Sequence, residues 1–229
     1  MKHDLVVKDG KLVTASETFI ADIGIKGGKI ATLGENLEGY DVINAAKKLV
    51  MPGGIEAHCH IAQESGMGVM TSDDYETGSI SAAFGGNSSF VPFAAQKKGE
   101  SISDTIDEYD RRAETKSVID YSYHLIITDP NRNVLDELPS AFKRGITSFK
   151  VFMTYATRVS DAQFLDILTV ARRHGGLTMV HAENHDMLTW MSNALTEAGY
   201  VEPRFHAPAR PSIAEEEAIN RAVSLSKLS

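Results

Sequence analysis

The sequence predicts an α/β fold with a barrel-type parallel sheet over residues 51–229, behind a small β-rich segment over residues 1–50. Three observations carry that expectation. Strands and helices alternate after residue 51 at roughly thirty-residue spacing, the rhythm of βα units. No G-x-G-x-x-G follows the first strand of this series, which weakens an open, dinucleotide-binding sheet. Finally, His58, His60, Lys150 and His181 fall at or near the ends of different strands, and a barrel brings such ends to one mouth.

The first fifty residues read as strands. In DLVVKDGKLVTAS apolar pairs flank Asp9-Gly10, and in ADIGIKGGKIATLG they flank Gly27-Gly28; both dipeptides predict hairpin turns and, together, a small antiparallel module. The run YDVINAAKKLVMPGG leads into MPGGIEAHCHI, a short extended segment. A loop with Gly66 and Gly68 follows, then Ser72-Asp73-Asp74, an N-cap cluster for a helix through Ala82 and Ala83 that stops at Gly85-Gly86. NSSFVPFA is a strand, and SISDTIDEYDRRAET is a capped amphipathic helix with acids in its first turn. YSYHLII is the next strand, and NVLDELPSAFKRG is a helix in which Pro139 predicts a kink or boundary. ITSFKVFMTY is again a strand. The clearest helix is SDAQFLDILTVARRHGG: Ser160 caps it, Phe164, Ile167, Leu168 and Ala171 share a face, and Gly175-Gly176 ends it. After the strand LTMVH come two helices, NHDMLTWMSNALTEAG and SIAEEEAINRAVSLSKL, separated by a Pro-containing excursion from Tyr200 to Pro211.

Composition narrows the function classes. With 229 residues, 42% of them hydrophobic, the chain can bury one large core or two unequal ones. Its 23 basic and 31 acidic residues give a net charge of -8 with no Lys/Arg-rich block, which argues against nucleic acid or an anionic membrane as partner. A single cysteine excludes an internal disulfide framework and fits a reducing compartment. The start, MKHDLVVKDGKLV, has no signal-peptide core, and no segment approaches about 18 uninterrupted apolar residues, so the expected location is cytoplasmic.

The chemistry centres on His58 and His60. On a strand, side chains at i and i+2 share a face, so two imidazoles point the same way and Cys59 points to the other side as a small buried thiol. This is a chelating pair, and the position after an apolar strand and Pro52-Gly53-Gly54 favours a metal role over an incidental one. His181 closes an apolar strand; alone it reads as a hydrogen-bonded core residue, and with the other strand ends it becomes a third ligand. Glu183 and His185 fit either a supporting shell or the surface. Lys150 lies within the apolar strand ITSFKVFM, where an ammonium is costly to bury. An edge position or a partner carboxylate would account for it. So would a burial-depressed pKa, which leaves a neutral amine able to react with carbon dioxide and form a carbamate suited to bridging two divalent cations. Tyr155 is either a packed tyrosine or a donor to a developing oxyanion. Asp73 and Asp74 read as helix caps, Asp129-Pro130 as a turn and His124 as core.

Taken together, PGGIEAHCH, SDDYETGSISAAFGG, SFKVFMTY and VHAEN resemble the cyclic amidohydrolases, specifically the dihydropyrimidinase and hydantoinase branch of the metal-dependent amidohydrolase superfamily. The segments are spread in order over essentially the whole chain and are jointly specific. The resemblance implies the N-terminal part of a (β/α)8 TIM-like barrel, about five strands over residues 51–229, preceded by a β-sandwich segment over residues 1–50. It also implies a hydrolase with two Zn2+ per subunit: His58 and His60 on one metal, His181 on the other, and N6-carboxylated Lys150 bridging both, with Tyr155 polarising the scissile carbonyl. The loops Ile61 to Thr71 and Thr154 to Val159 correspond to those that shape the substrate pocket. The implied reaction is hydrolysis of the ring amide of a dihydropyrimidine or hydantoin to an N-carbamoyl amino acid, and the implied assembly is a homo-tetramer.

Members of that family are roughly twice as long, with a further metal-binding histidine and a proton-shuttling aspartate on later strands. This chain is therefore expected to be a portion of a longer protein, with activity requiring the C-terminal half. Two alternatives are an allantoinase-like cyclic amidohydrolase and a non-catalytic dihydropyrimidinase-related scaffold. The scaffold group is expected to lack several ligands, whereas here every position the chain covers is filled.

Overall fold

Apolar side chains with a period of two in the strands and of three to four in the helices give the chain its layers. A computed structural model describes residues 2–66 and 68–229. It divides into two compact units, Met1–Gly54 and Ile55–Ser229.

The first unit holds one five-stranded sheet: β1 (His3–Val13), β2 (Thr18–Lys26), β3 (Lys29–Gly34), β4 (Gly39–Asn44) and β5 (Leu49–Val50). Gly27 and Gly28, both at positive φ (58° and 72°), make the expected two-residue hairpin between β2 and β3, with Lys26 opposite Lys29. Asp9-Gly10 does not form a turn. The strand runs straight through it, and Asp9, at φ 59°, makes a bulge where the β1–β2 register shifts between Val7 and Gly10. Asp22 secures the bulge by accepting the Asp9 N–H at 2.9 Å. The module is also not purely antiparallel, because β4 and β5 pair with β1 in parallel. Leu12, Ala21 and Ile23 form its small core.

In the second unit the strands are β6 (Gly54–Cys59), β7 (Asn87–Ala95), β8 (Asp120–Tyr121), β9 (His124–Ile126), β10 (Ser148–Phe152) and β11 (Leu177–His181). The main order is β11-β10-β9-β7-β6, with β8 beside β7. Each strand of this path neighbours its predecessor, with no reversal of direction across the sheet. That is the order of a singly wound, curled half-barrel; a doubly wound sheet would show a switch point. The pairs β7–β9, β9–β10 and β10–β11 are parallel.

Among the described residues six α-helices complete the unit: α1 (Tyr75–Phe84), α2 (Ile102–Ala113), α3 (Arg132–Lys143), α4 (Asp161–His174), α5 (His185–Glu197) and α6 (Ser212–Ser226). Asp74, Ser101, Asn131, Ser160 and Asn184 each cap a helix start by accepting a backbone N–H. Gly175, left-handed at φ 70°, closes α4. Two expectations are corrected. YSYHLII is split into β8 and β9: Ser122 and Tyr123 fall between them, the Ser122 N–H still bonding the Phe90 carbonyl and Tyr123 buried among Tyr75, Tyr109 and Tyr121. Pro139 lies inside α3 and does not end it, since Leu138 and Ala141 beside it are fully buried and hold both halves of the helix on the core.

That core joins Phe90, Leu125, Phe149 and Val151 from the strands, and Ile127 just after β9, to Ile106, Leu138, Ile167 and Ala218 from the helices. Among the described residues, no helix is long and apolar enough to cross a membrane.

Candidate active site

Strand alternation decides what the other face of the parallel sheet displays. Phe149 and Val151 of β10 pack into the helix-side core, so Lys150 and Phe152 face the opposite way. By the same count Leu125 goes to the helices and His124 and Ile126 do not; Phe90 and Ala94 do and Phe93 does not. At the end of β6, Cys59 packs against the helix-side core and leaves His58 and His60 on the inner face. Burial pushes the Cys59 thiol up to about 11, so it stays protonated and is a poor ligand.

On the inner face His58 and His60 lie side by side with ring centroids 5.6 Å apart. Phe93 is against both, at 4.7 Å and 4.6 Å, and Lys150 Nζ stands 5.8 Å from the centre of the same ring. His60 Nδ1 donates to Gln63 Oε1 at 2.8 Å, leaving its Nε2 lone pair free. Burial, followed by Lys150, His60 and His124, lowers the pKa of His58; burial alone lowers that of Lys150. Lys150 is only 9% exposed, and among the described residues no carboxylate lies within ion-pair distance of it. Burial at both residues, with neighbouring positive charge added at His58, favours the neutral forms of His58 and Lys150, which carry the lone pairs.

His181 and Tyr155 form a second group, joined to the first through Phe152. The Phe152 ring is 5.6 Å from Lys150 Nζ, 5.6 Å from the His181 ring and 6.1 Å from Tyr155; His181 and Tyr155 are 5.1 Å apart. In register, Phe152 stands opposite His181 and Lys150 opposite Met179. Tyr155 holds φ 68°, a left-handed conformation unfavourable for an aromatic residue, in the loop after β10. The His181 imidazole spends its Nε2 on Glu183 Oε2 at 2.6 Å, and Arg210 Nη1 reaches both oxygens of Glu183 at 2.7 and 2.6 Å.

A cleft of about 660 Å³ opens at the C-terminal ends of β7, β9 and β10, where Ala95, Ile126 and Phe152 line it. Its walls include Gln63, Glu64 and Ser65 from one of the two pocket loops expected from the sequence, and Tyr155, Ala156 and Thr157 from the other. Arg112 pins the first loop through a hydrogen bond from Nη1 to the Ala62 carbonyl. Gln63 connects this cleft to the histidine pair, since it lines the one and accepts from the other.

The donor set suits divalent cations of the zinc class. It offers two imidazoles side by side, a third imidazole oriented by a carboxylate, and a buried amine with no acidic partner among the described residues. Among the described residues no three His, Cys, Asp or Glu side chains converge on one point, so a shared centre depends on Lys150.

Sequence reasoning assigned His124 to the core and overlooked what it braces. Its Nε2–H donates to the Ala57 carbonyl at 2.9 Å and its Nδ1 meets the Ser148 hydroxyl, tying β6, just before His58, to β9 and β10. Gln96 was also missed: it accepts the N–H groups of Thr128 and Asp129 and donates to the Glu100 carbonyl, joining the loops after β7 and β9. Arg210 carried no signal, because it lies 27 residues from Glu183 in an irregular segment.

Known proteins give the context for this arrangement. The chain is 41% identical over 228 residues to a D-hydantoinase of Geobacillus stearothermophilus, covering 97% of this chain and 48% of that protein. It is 33% identical over 225 residues to a dihydropyrimidinase of Dictyostelium discoideum, covering 96% and 44% respectively. Among solved structures, one of a D-hydantoinase superposes with a TM-score of 0.95 at 38% identity, over 98% of this chain and half of that one. An L-hydantoinase from Arthrobacter aurescens gives a TM-score of 0.86 at 26% identity. No family model matches the chain. The chain spans about half the length of the curated relatives it matches.

Proposed function

Taking the chain as the counterpart of the N-terminal half of a hydantoinase/dihydropyrimidinase-family protein, we propose that the intact protein hydrolyses the ring amide of a cyclic substrate, a dihydropyrimidine or hydantoin, to an N-carbamoyl amino acid. The observation that carries this reading is Lys150: a buried amine with a lowered pKa and, among the described residues, no acid beside it, on the same face as His58 and His60. In neutral form its nitrogen can add to carbon dioxide, forming the N–C bond and losing a proton, so that a cation becomes a two-oxygen anion.

His58 and His60 would then hold one zinc ion and His181 the other, with the Lys150 carbamate shared. Bound zinc supplies Lewis-acid activation of water and of the scissile carbonyl. Tyr155, at the edge of the cleft and beside His181, donates its phenolic O–H to the amide oxygen as that atom gains charge. The loops at residues 63–66 and 155–157 enclose the substituent of the ring. Completion of the barrel, a β-sandwich that includes the first fifty residues, a cytoplasmic location and a homo-tetramer belong to the same proposal. So does dependence of activity on the part of the family's length this chain does not span.

Dihydrouracil and hydantoin, offered to the intact protein and to the 229-residue stretch alone, test the reading. Ring opening is expected from the intact protein and not from the stretch. An intact, zinc-supplied protein that opens neither ring contradicts it.

A further inference from the structure

Glu183 and Arg210 lie outside the donor set described above, yet their geometry acts on one of its members. The His181 Nε2 is 2.6 Å from Glu183 Oε2. A carboxylate that close accepts a hydrogen bond from an N–H and has none to donate to a lone pair, so the neutral ring carries its hydrogen on Nε2 and its free lone pair on Nδ1. Glu183 is held in turn by Arg210, whose Nη1 contacts both oxygens at 2.7 and 2.6 Å, and the side chains of both residues are mostly buried. Arg210 also stacks its guanidinium 5.5 Å from the centre of the Tyr155 ring. One arginine from the segment before α6 therefore touches both the carboxylate behind His181 and the tyrosine in front of it.

We propose that Arg210 and Glu183 form a positioning pair: Glu183 fixes His181 in the Nε2–H tautomer and so presents Nδ1 as the ligand atom, and Arg210 locks Glu183 while setting the Tyr155 ring beside that ligand. The proposal rests on the zinc-hydrolase reading above. Its chemistry is that of an imidazole whose distal N–H is anchored by a carboxylate, which raises ligand basicity and removes rotational freedom. Glu183→Ala frees the ring to flip and to exchange tautomers. Glu183→Gln keeps an acceptor oxygen facing Nε2–H but drops the charge, and is the conservative rescue.

The test uses the intact protein, stripped of metal and titrated with zinc against a chromophoric chelator. Glu183→Ala is expected to weaken one of the zinc sites about 10–100-fold and to leave the other unchanged, with Glu183→Gln losing less and Arg210→Ala falling between them. On a His181→Ala background, Glu183→Ala should add nothing, because its effect passes through that ring. Nitrogen-15 spectra of the metal-free protein should place the His181 proton on Nε2 in the wild type and on a mixture of nitrogens in Glu183→Ala. Zinc affinities that are equal in wild type, Glu183→Ala and Arg210→Ala overturn the positioning role, as does a His181 proton on Nδ1 in the wild type. A wild-type protein that binds no zinc overturns the underlying reading instead.

Discussion

Lys150 sits in β10 between Phe149 and Val151, both fully buried, and its own side chain turns to the opposite face with Phe93 and Phe152 as neighbours. Its oddity was legible in the sequence, because a lysine within an apolar strand has no cheap explanation. What could not be read was the absence of an acid beside it, since that depends on which strands become neighbours. For His58 and His60 the period of two was enough to place both rings on one face and Cys59 on the other. Arg210 was not legible, because nothing local to the segment around Pro211 points to Glu183 or Tyr155. The role assigned to Tyr155 makes a prediction at this scale: Tyr155→Phe in the intact protein removes one oxyanion donor and lowers kcat about 10²–10³-fold while KM changes little. Steady-state kinetics check it, and an unchanged kcat assigns the ring to packing alone.

Among the elements, helix boundaries were the most readable, because caps are local. Ser160 and Gln163 form a reciprocal capping box on α4, as do Asp74 and Thr77 on α1. Ser160→Ala should therefore cost about 1 kcal/mol in denaturant unfolding. Asp74 adds a pH signature. The Lys116 ammonium and then the cap N–H groups hold its carboxyl at about 2, below the ordinary 3.8. A folded pKa depressed in this way gives stability that is whole above 3.8 and is lost as the pH falls through about 2. Asp74→Asn should flatten the stability profile across that window, measured by denaturant unfolding at a series of acidic pH values. Strand signals were less dependable. Asp9-Gly10 has hairpin composition yet forms a bulge, because the Asp22 carboxylate across the ladder captures the Asp9 N–H, a partner no local pattern reveals. Gly27-Gly28 turns as expected, both residues at positive φ, and there the Asp4 carboxylate accepts the Gly27 N–H at 2.7 Å without displacing the turn.

At the scale of the whole molecule, alternation of strands and helices predicted a parallel sheet but could not order it. The polar strand ends did, and the observed order β11-β10-β9-β7-β6 is the singly wound one they required. The parallel pairing of β4 and β5 with β1 escaped prediction because it joins segments separated by two and three intervening strands. The inner face of the parallel sheet gathers basic side chains with, among the described residues, no acid on Lys150, and the account of function stands on what that face holds. The most direct measurement is the zinc content of the intact protein, expressed with zinc and bicarbonate, in wild type and in Lys150→Ala by elemental analysis. The account predicts about two zinc ions per chain in the wild type, the stoichiometry of a two-metal hydrolase, and loss of both zinc and ring-opening activity in Lys150→Ala. Full zinc content and full activity in the variant would contradict it.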